Sequence, residues 1–264
     1  MKILNPEFDL ESFFNQIKNA KQRALLLDYD GTLAPFRVQR NQAFPYPGVR
    51  EILNNIIVAQ HSHVVIISGR WTKDLIPLLG LKRLPEIWGS HGIERLKSDG
   101  FYEMAELDEP SSYILNNAKK WITKVGLKEQ CEQKPGALAI HWRGLSDMKT
   151  KEIREMIITN WSNRAQAAGL NLEEFDGGIE FRVTGRNKGH AVKSIFSEMA
   201  EDTVAAYLGD DLTDEDAFKA IKSRGIGILV RTEFRATAAD LWLLPPKELL
   251  DFLSKWHKTC GGLI

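Results

Sequence analysis

The chain has 264 residues, 43% hydrophobic and 27% charged, with Lys plus Arg and Asp plus Glu balanced at 35 each. That length and apolar content allow a substantial core in one large domain or two, and the balanced charge leaves no global basic field for nucleic acid or an anionic membrane. No apolar run approaches a membrane span, and Cys131 and Cys260 are too few and isolated for a disulfide framework or a zinc site. Glu7, Asp9 and Glu11 oppose a signal-peptide pattern, so a cytoplasmic protein without nucleic-acid or membrane partners is expected.

A helical pattern over about 9–20 precedes the apolar run Ala24 to Leu27, a strand over 24–28, which leads into Asp28-Tyr29-Asp30-Gly31-Thr32-Leu33. A short apolar run ended by a turn signal reads as a buried parallel strand, and its carboxyl end is where open α/β sheets bind ligands. Residues i and i+2 of an extended chain project to the same side. Asp28 and Asp30 can therefore serve one site as nucleophile and proton-transfer group. Two like charges that close need a cation, and oxygen ligands in a phosphate-handling site suggest Mg²⁺. The same pattern also occurs in solvated loops and as the metal-binding pair of nucleotide-sugar glycosyltransferases.

A helix over about 48–59 leads to a second strand, 63–67, which ends in Ser68-Gly69-Arg70. Its hydroxyl and unobstructed backbone N–H suit phosphate oxygens. The local alternative is a strand-to-helix turn with Ser68 or Thr72 capping a helix over 71–79. A strand near 86–90 follows. From about 109 to 183 the pattern changes to helices near 110–124 and 147–168, the alternating run Ala137 to Trp142, and the run Gly178 to Val183. These read as a small α+β layer inserted into the rest.

Alternation resumes with a helix near 188–200, strands 204–208 and 226–230 around a helix at 214–223, and a short strand near 240–244. The fold class is α/β, a doubly wound parallel sheet with helices on both faces and an inserted smaller α+β domain. The expected division is 1–108, 109–183 and 184–264. Lys188 opens its helix, where the macrodipole disfavours a cation, so a nearby anion would explain it. Gly209-Asp210-Asp211-Leu212-Thr213-Asp214-Glu215-Asp216 ends another apolar run. Thr213 with Asp216 reads as a capping arrangement that accounts for Asp214, Glu215 and Asp216. Asp210 and Asp211 precede it without a cationic neighbour in sequence, and a metal is the simpler explanation.

Taken together, DYDGTL, SGR, the lysine of NKG and GDDLTDED stand in the order and wide spacing of the four motifs of the haloacid dehalogenase-like phosphohydrolases, which the chain resembles from about residue 23 to 243. The resemblance implies a Rossmannoid core with an inserted cap domain. It implies that Asp28 attacks phosphorus to form an aspartyl phosphate, and that Asp30 protonates the leaving alkoxide and then activates water. Ser68, with Gly69 beside it, and Lys188 would hold phosphoryl oxygens. Mg²⁺ would be bound by Asp28, Asp210 and the backbone carbonyl of Asp30, with Asp211 and Asp214 nearby. Phosphoryl transfer asks mainly for positioning and charge neutralisation, which this set could supply.

Within that superfamily, Gly89-Ser90-His91-Gly92-Ile93-Glu94, Glu132-Gln133-Lys134 with His141-Trp142-Arg143, and Glu180 resemble segments of the trehalose-6-phosphate phosphatases. This resemblance implies a Mg²⁺-dependent enzyme that converts trehalose 6-phosphate to trehalose and phosphate, with Glu94, Lys134, His141, Arg143 and Glu180 binding the sugar phosphate; separately, a monomer is expected. Charged and polar side chains suit a disaccharide, whose buried hydroxyls must each be matched. One departure is Val183-Thr184 after Arg182, where these phosphatases commonly carry a proline. Alternatives are the same chemistry on glucosylglycerol phosphate, sucrose phosphate or a hexose phosphate, a phosphomutase, a phosphosugar sensor, or a glycosyltransferase. Locally, His91 also reads as a core histidine, Glu94 as a surface hairpin residue, and Lys134 and Arg143 as solvated strand charges.

Overall fold

The computed structural model describes residues 1–175 and 177–262. The first stretch contains β1 (Lys2–Ile3), α1 (Leu10–Asn19), β2 (Arg23–Leu27), α2 (Val49–Ala59), β3 (His63–Ile67), α3 (Thr72–Leu79), β4 (Glu86–Gly89), β5 (Glu94–Leu96) and β6 (Tyr102–Met104). The middle contains α4 (Glu109–Lys124), β7 (Cys131–Lys134), β8 (Ala137–His141), α5 (Asp147–Ala167), β9 (Leu170–Phe175) and β10 (Gly178–Val183). The last contains α6 (Lys188–Ser197), β11 (Val204–Gly209), α7 (Glu215–Ile221), β12 (Gly225–Val230), β13 (Leu241–Leu243) and α8 (Lys247–Thr259). The chain forms two compact units, Met104–Arg186 being one and the flanking stretches together the other. Among the described residues no helix is long and apolar enough to cross a membrane.

The sheet of the first unit runs β1-β13-β12-β11-β2-β3-β4-β5-β6. From β13 to β4 every pair is parallel, while β1 runs antiparallel to β13 and β5 antiparallel to β4. Leu25 and Leu27 of β2 join Ile66, Leu208 and Ile228 on one face, and Ala24 and Leu26 join Val65, Ile67 and Tyr207 on the other. Both faces are apolar because both are covered, which is why these strands read as continuous hydrophobic runs and not as alternation. Each such fully buried aliphatic side chain contributes about 1.5–3 kcal/mol. The sequence reading missed β1, β5 and β6, which are too short for periodicity to register. It also missed α8, whose Phe252 and Trp256 rings lie 5.7 Å from Phe14 and 6.4 Å from Phe13 of α1.

Chain order places β3 and β4 to one side of β2 and β11 to the other. The strand order therefore reverses between β2 and β11, and a crevice at such a switch point, at the carboxyl ends of the strands, is where α/β sheets take ligands.

The second unit is an antiparallel sheet, β7-β8-β10-β9. Leu138, Ile140, Ile179 and Phe181 project from one face, where the Trp161 ring of α5 stands edge-on to Phe181 at 5.4 Å and to Trp121 of α4 at 5.8 Å. The period of two sends Glu132, Glu180 and Glu173 to the opposite face in one register row, with Lys134 and Arg182 in the next. Neither β7 nor β9 stands out as a strand by its pattern, although Lys134 of β7 also read as a strand charge. Their charged residues mask the alternation.

Candidate active site

Asp28 follows β2 and its N–H donates to the Leu208 carbonyl at 2.8 Å, so the last rung of the β2–β11 ladder fixes its backbone. Its Oδ2 accepts from Thr32 Oγ1 at 3.0 Å, and its Oδ1 accepts from Lys188 Nζ at 2.6 Å. Lys188 is the first residue of α6, which is capped by Asn187, whose side chain accepts from His190 N. The same Nζ donates to Asp214 Oδ1 at 2.7 Å. The anion that a lysine at a helix start requires is thus a pair of aspartates brought in from two other strand ends.

Asp214 is the hub of the loop after β11. Its Oδ1 also accepts from Tyr207 Oη, and its Oδ2 accepts from the N–H groups of Asp210 and Asp211 at 3.1 and 3.0 Å. Asp211 in turn caps the short turn Leu212–Asp214 and forms a reciprocal capping box with Asp214. The cap therefore lies at Asp211 and Asp214, and not at Thr213 and Asp216 as the spacing suggested. Asp216 instead accepts from Asn187 Nδ2 at 2.7 Å. Arg235, which sequence reasoning missed, donates to the carbonyls of Asp210 at 3.1 Å and Asp211 at 2.6 Å and pairs with Glu215.

Among the described residues, Asp28, Asp210 and Asp214 are buried carboxylates with one oxygen each inside a 4.8 Å cluster. Burial, only partly opposed by Lys188, pushes Asp28 up to about 7. Burial and the neighbouring Asp28 and Asp214 push Asp210 well above the usual carboxylate range. Burial alone would lower Lys188, but Asp214 and Asp28 outweigh it and hold the ammonium firmly protonated. One Asp210 oxygen, Oδ2, is buried and has no hydrogen-bond partner. Excess buried negative charge with an unmatched oxygen suits a hard divalent cation. Gly31 makes room for that oxygen, because at its φ of +83° a Cβ would stand 2.1 Å from Asp210 Oδ2. The carboxylate of Asp211, engaged in the cap, lies outside this cluster.

Asp30 also lies outside it. Both its carboxylate oxygens accept from Arg70, at 2.6 Å from Nε and 2.6 Å from Nη2, a bidentate pair of the strong, oriented kind. Arg70 Nη1 donates to the Arg40 carbonyl at 2.9 Å, and its guanidinium lies 5.7 Å from the Tyr29 ring centre. Sequence reasoning quoted Arg70 without giving it a role, since nothing in a strand-end arginine names a partner 40 residues away. Ser68 is buried, and its Oγ accepts from Arg70 N at 3.1 Å. Neither Ser68 nor Thr72 caps α3. Its N-cap is Trp71, which offers no side-chain cap.

The residues expected to read the sugar fall into the two units. Glu94 belongs to the first and is wholly buried, so it is not a surface hairpin residue. In the second, Lys134 Nζ lies 2.5 Å from Glu180 Oε1 and 4.0 Å from Glu132 Oε2, and His141 Nε2 lies 2.9 Å from Glu132 Oε2. Arg182 pairs with Glu173 and stands 3.8 Å from Glu180. Lys134, His141 and Glu180 therefore share one charged face, whereas Arg143, beyond the end of β8, lies against Gly177. Lys134 is an ion-paired residue and not a solvated strand charge.

A family model described as trehalose-phosphatase matches residues 26–242. Trehalose-phosphate phosphatase B of Arabidopsis thaliana is 30% identical, over 95% of this chain and 72% of its own length. The trehalose-phosphate phosphatase of Mycobacterium leprae is 30% identical over 89% of this chain and 58% of its own, so the chain spans little more than half of that relative. Among solved structures, the C-terminal domain of the C. albicans trehalose-6-phosphate phosphatase superposes with a TM-score of 0.77 at 21% identity, covering 100% of both chains. A haloacid dehalogenase-like hydrolase from B. subtilis superposes at 0.61 with 14% identity over 90% of this chain and 99% of its own.

Proposed function

The chain belongs to the trehalose-phosphatase family, and on that premise we propose that it hydrolyses trehalose 6-phosphate to trehalose and phosphate, with Mg²⁺ as cofactor. The observation that carries the reading is Lys188 between Asp28 and Asp214, at 2.6 and 2.7 Å, beside the unmatched Asp210 oxygen. A carboxylate held by a lysine at a strand end is an admissible nucleophile toward phosphorus. Asp28 and Asp210 would hold Mg²⁺, which neutralises phosphoryl charge when bound.

In this reading an Asp28 oxygen forms a bond to phosphorus while the bond from phosphorus to the sugar oxygen breaks. The electron pair leaves on that oxygen, which takes a proton from Asp30. Water then attacks the aspartyl phosphate, giving its proton to Asp30 as phosphate departs and the Asp28 carboxylate is restored. Lys188 and Ser68 hold the phosphoryl oxygens. Because Arg70 grips both Asp30 oxygens, the acid–base step requires Arg70 to release one of them. In the second unit, Lys134, Glu132 and Glu180 are exchangeable donors and acceptors for sugar hydroxyls.

Phosphate release from trehalose 6-phosphate, sucrose 6-phosphate, glucosylglycerol phosphate, glucose 6-phosphate and a small aryl phosphate, with and without Mg²⁺, tests this. The expected result is a Mg²⁺-dependent specificity constant for trehalose 6-phosphate far above the rest. A flat profile or another winner overturns the substrate, and undiminished release in the presence of a chelator overturns the cofactor.

A further inference from the structure

We propose that Glu94 is a positioning residue for the phosphate loop, acting through the Ser90–His91 turn and not through the sugar. The inference rests on the proposed roles of Ser68 as phosphate-binding and Asp30 as acid–base group. Glu94 opens β5 with its side chain wholly buried. Its Oε1 accepts from Ser90 Oγ at 2.7 Å and Thr72 N at 3.3 Å, and its Oε2 from Thr72 Oγ1 at 2.7 Å and Tyr102 Oη at 3.0 Å. Four donors from three segments thus converge on one carboxylate. Thr72 N is one of the orphan donors at the start of α3, which has no side-chain cap of its own.

The turn that Glu94 holds is strained. Ser90 and His91 are consecutive non-glycine residues in the left-handed region, at φ +48° and +56°. Such strain persists where the surroundings over-determine it. What the turn does is fix the loop after β3. Ser90 N donates to the Arg70 carbonyl at 2.8 Å and His91 N to the Ser68 carbonyl at 3.0 Å, one on each side of Gly69. The His91 ring covers Gly69 so closely that a Cβ there would stand 2.5 Å from Nε2. Onward from the loop, Arg70 N donates to Ser68 Oγ at 3.1 Å and the Arg70 guanidinium holds Asp30. Glu94 therefore reaches both Ser68 and Asp30 by way of Ser90 and Arg70 through its Oε1, while its Oε2 ties the start of α3 and Tyr102 to the same carboxylate.

The test compares wild type, Glu94→Gln, Thr72→Val and Thr72→Ser on trehalose 6-phosphate and on a small aryl phosphate, with hydrogen exchange measured over residues 68–72 and 88–92. Glutamine keeps one acceptor oxygen and loses the other, and valine removes one donor. Both should lower kcat by on the order of 10- to 100-fold, the scale of a small misplacement of reacting groups. The factor should be the same for both substrates, with the KM for the disaccharide phosphate little changed. Thr72→Ser should restore activity, and exchange should quicken over both segments in Glu94→Gln. A loss confined to trehalose 6-phosphate would show that Glu94 reads the sugar, and an unchanged kcat on both substrates would remove any positioning role. If Glu94→Gln fails to fold, Ser90→Ala, which deletes a single donor, carries the same comparison. A wild type active only on the aryl phosphate retires the proposed substrate while leaving this comparison intact. A wild type inactive on both retires the proposed function, and unaltered exchange over 68–72 in Glu94→Gln then overturns the clamp as well.

Discussion

The two ends of the parallel sheet in the first unit bury carboxylates with opposite outcomes. At the carboxyl end, Asp28, Asp210 and Asp214 crowd together, burial pushes Asp28 up to about 7, and one Asp210 oxygen stays unmatched. At the amino end, Glu86 begins β4 and is only 5% exposed. Its Oε1 accepts from Arg95 Nε and Trp88 Nε1, both at 2.7 Å, and its Oε2 lies 3.0 Å from His63 Nε2. Burial alone would raise Glu86, but His63 and Arg95 outweigh it and hold the carboxyl at about 2. Arg95 uses its other nitrogens on Glu198, at 2.5 and 2.7 Å. One end satisfies its buried charge with protein partners and so contributes stability. The other leaves one Asp210 oxygen without a hydrogen-bond partner and holds two carboxyls above their usual range, so its burial costs stability where the amino end gains it.

The strongest break of this contrast is Asp28→Asn. Phosphate release should fall by on the order of 10⁴-fold or more, while the thermal midpoint in chelator-containing buffer holds or rises, because one crowded acid is gone. Lys188→Met should remove the cation between Asp28 and Asp214 and destabilise by about 3–5 kcal/mol in a urea titration, with turnover lost as well. Glu86→Gln acts at the other end. It should cost about 3 kcal/mol by the same titration, yet leave kcat per folded molecule unchanged.

Titration separates the ends by sign. The folded-state Glu86 lies at about 2, below its ordinary 4.5, so its contribution is full above pH 4.5 and fades as pH falls toward 2. That amounts to roughly 3 kcal/mol, and the gap between wild type and Glu86→Gln should close over this window. Asp28 runs the other way. Raised from 3.8 to about 7, its contribution is full below pH 3.8 and is lost as pH rises through 7. In metal-free buffer Asp28→Asn should therefore gain on wild type across that interval. Melting curves at pH steps of both pairs check the two signs. The smallest effect is expected from Glu198→Gln, whose side chain is 48% exposed. A pair so open to solvent is worth under about 1 kcal/mol, and a larger loss in the urea midpoint would show that the amino-end network acts as one unit.

The strand ends were legible because a short apolar run closed by acids, glycine or serine has few other readings. Asp28, Ser68 and Asp210 each follow such a run, and Lys188 opens a helix against the macrodipole. Elements without a period could not be read: β1, β5 and β6 have two or three residues each, and β7 and β9 carry charges where alternation would show. Local spacing also misled. Thr213 and Asp216 stand at capping distance, but the loop selects Asp211 and Asp214, because Asp214 is also held by Lys188 and Tyr207.

Partners lay beyond the sequence altogether. Asp30 with Arg70, Asp28 with Lys188, and Arg235 with the Asp210 and Asp211 carbonyls are joined across spans that no spacing rule connects. The order β11-β2-β3 sets these strand ends side by side. By itself the sequence determined where acids and a hydroxyl leave buried strands, since hydrophobic burial fixes strand ends locally. Which carboxylate is held by the lysine, which is a structural hub and which is gripped by arginine was decided by tertiary structure, because hydrogen-bond partners follow from strand order and not from separation along the chain.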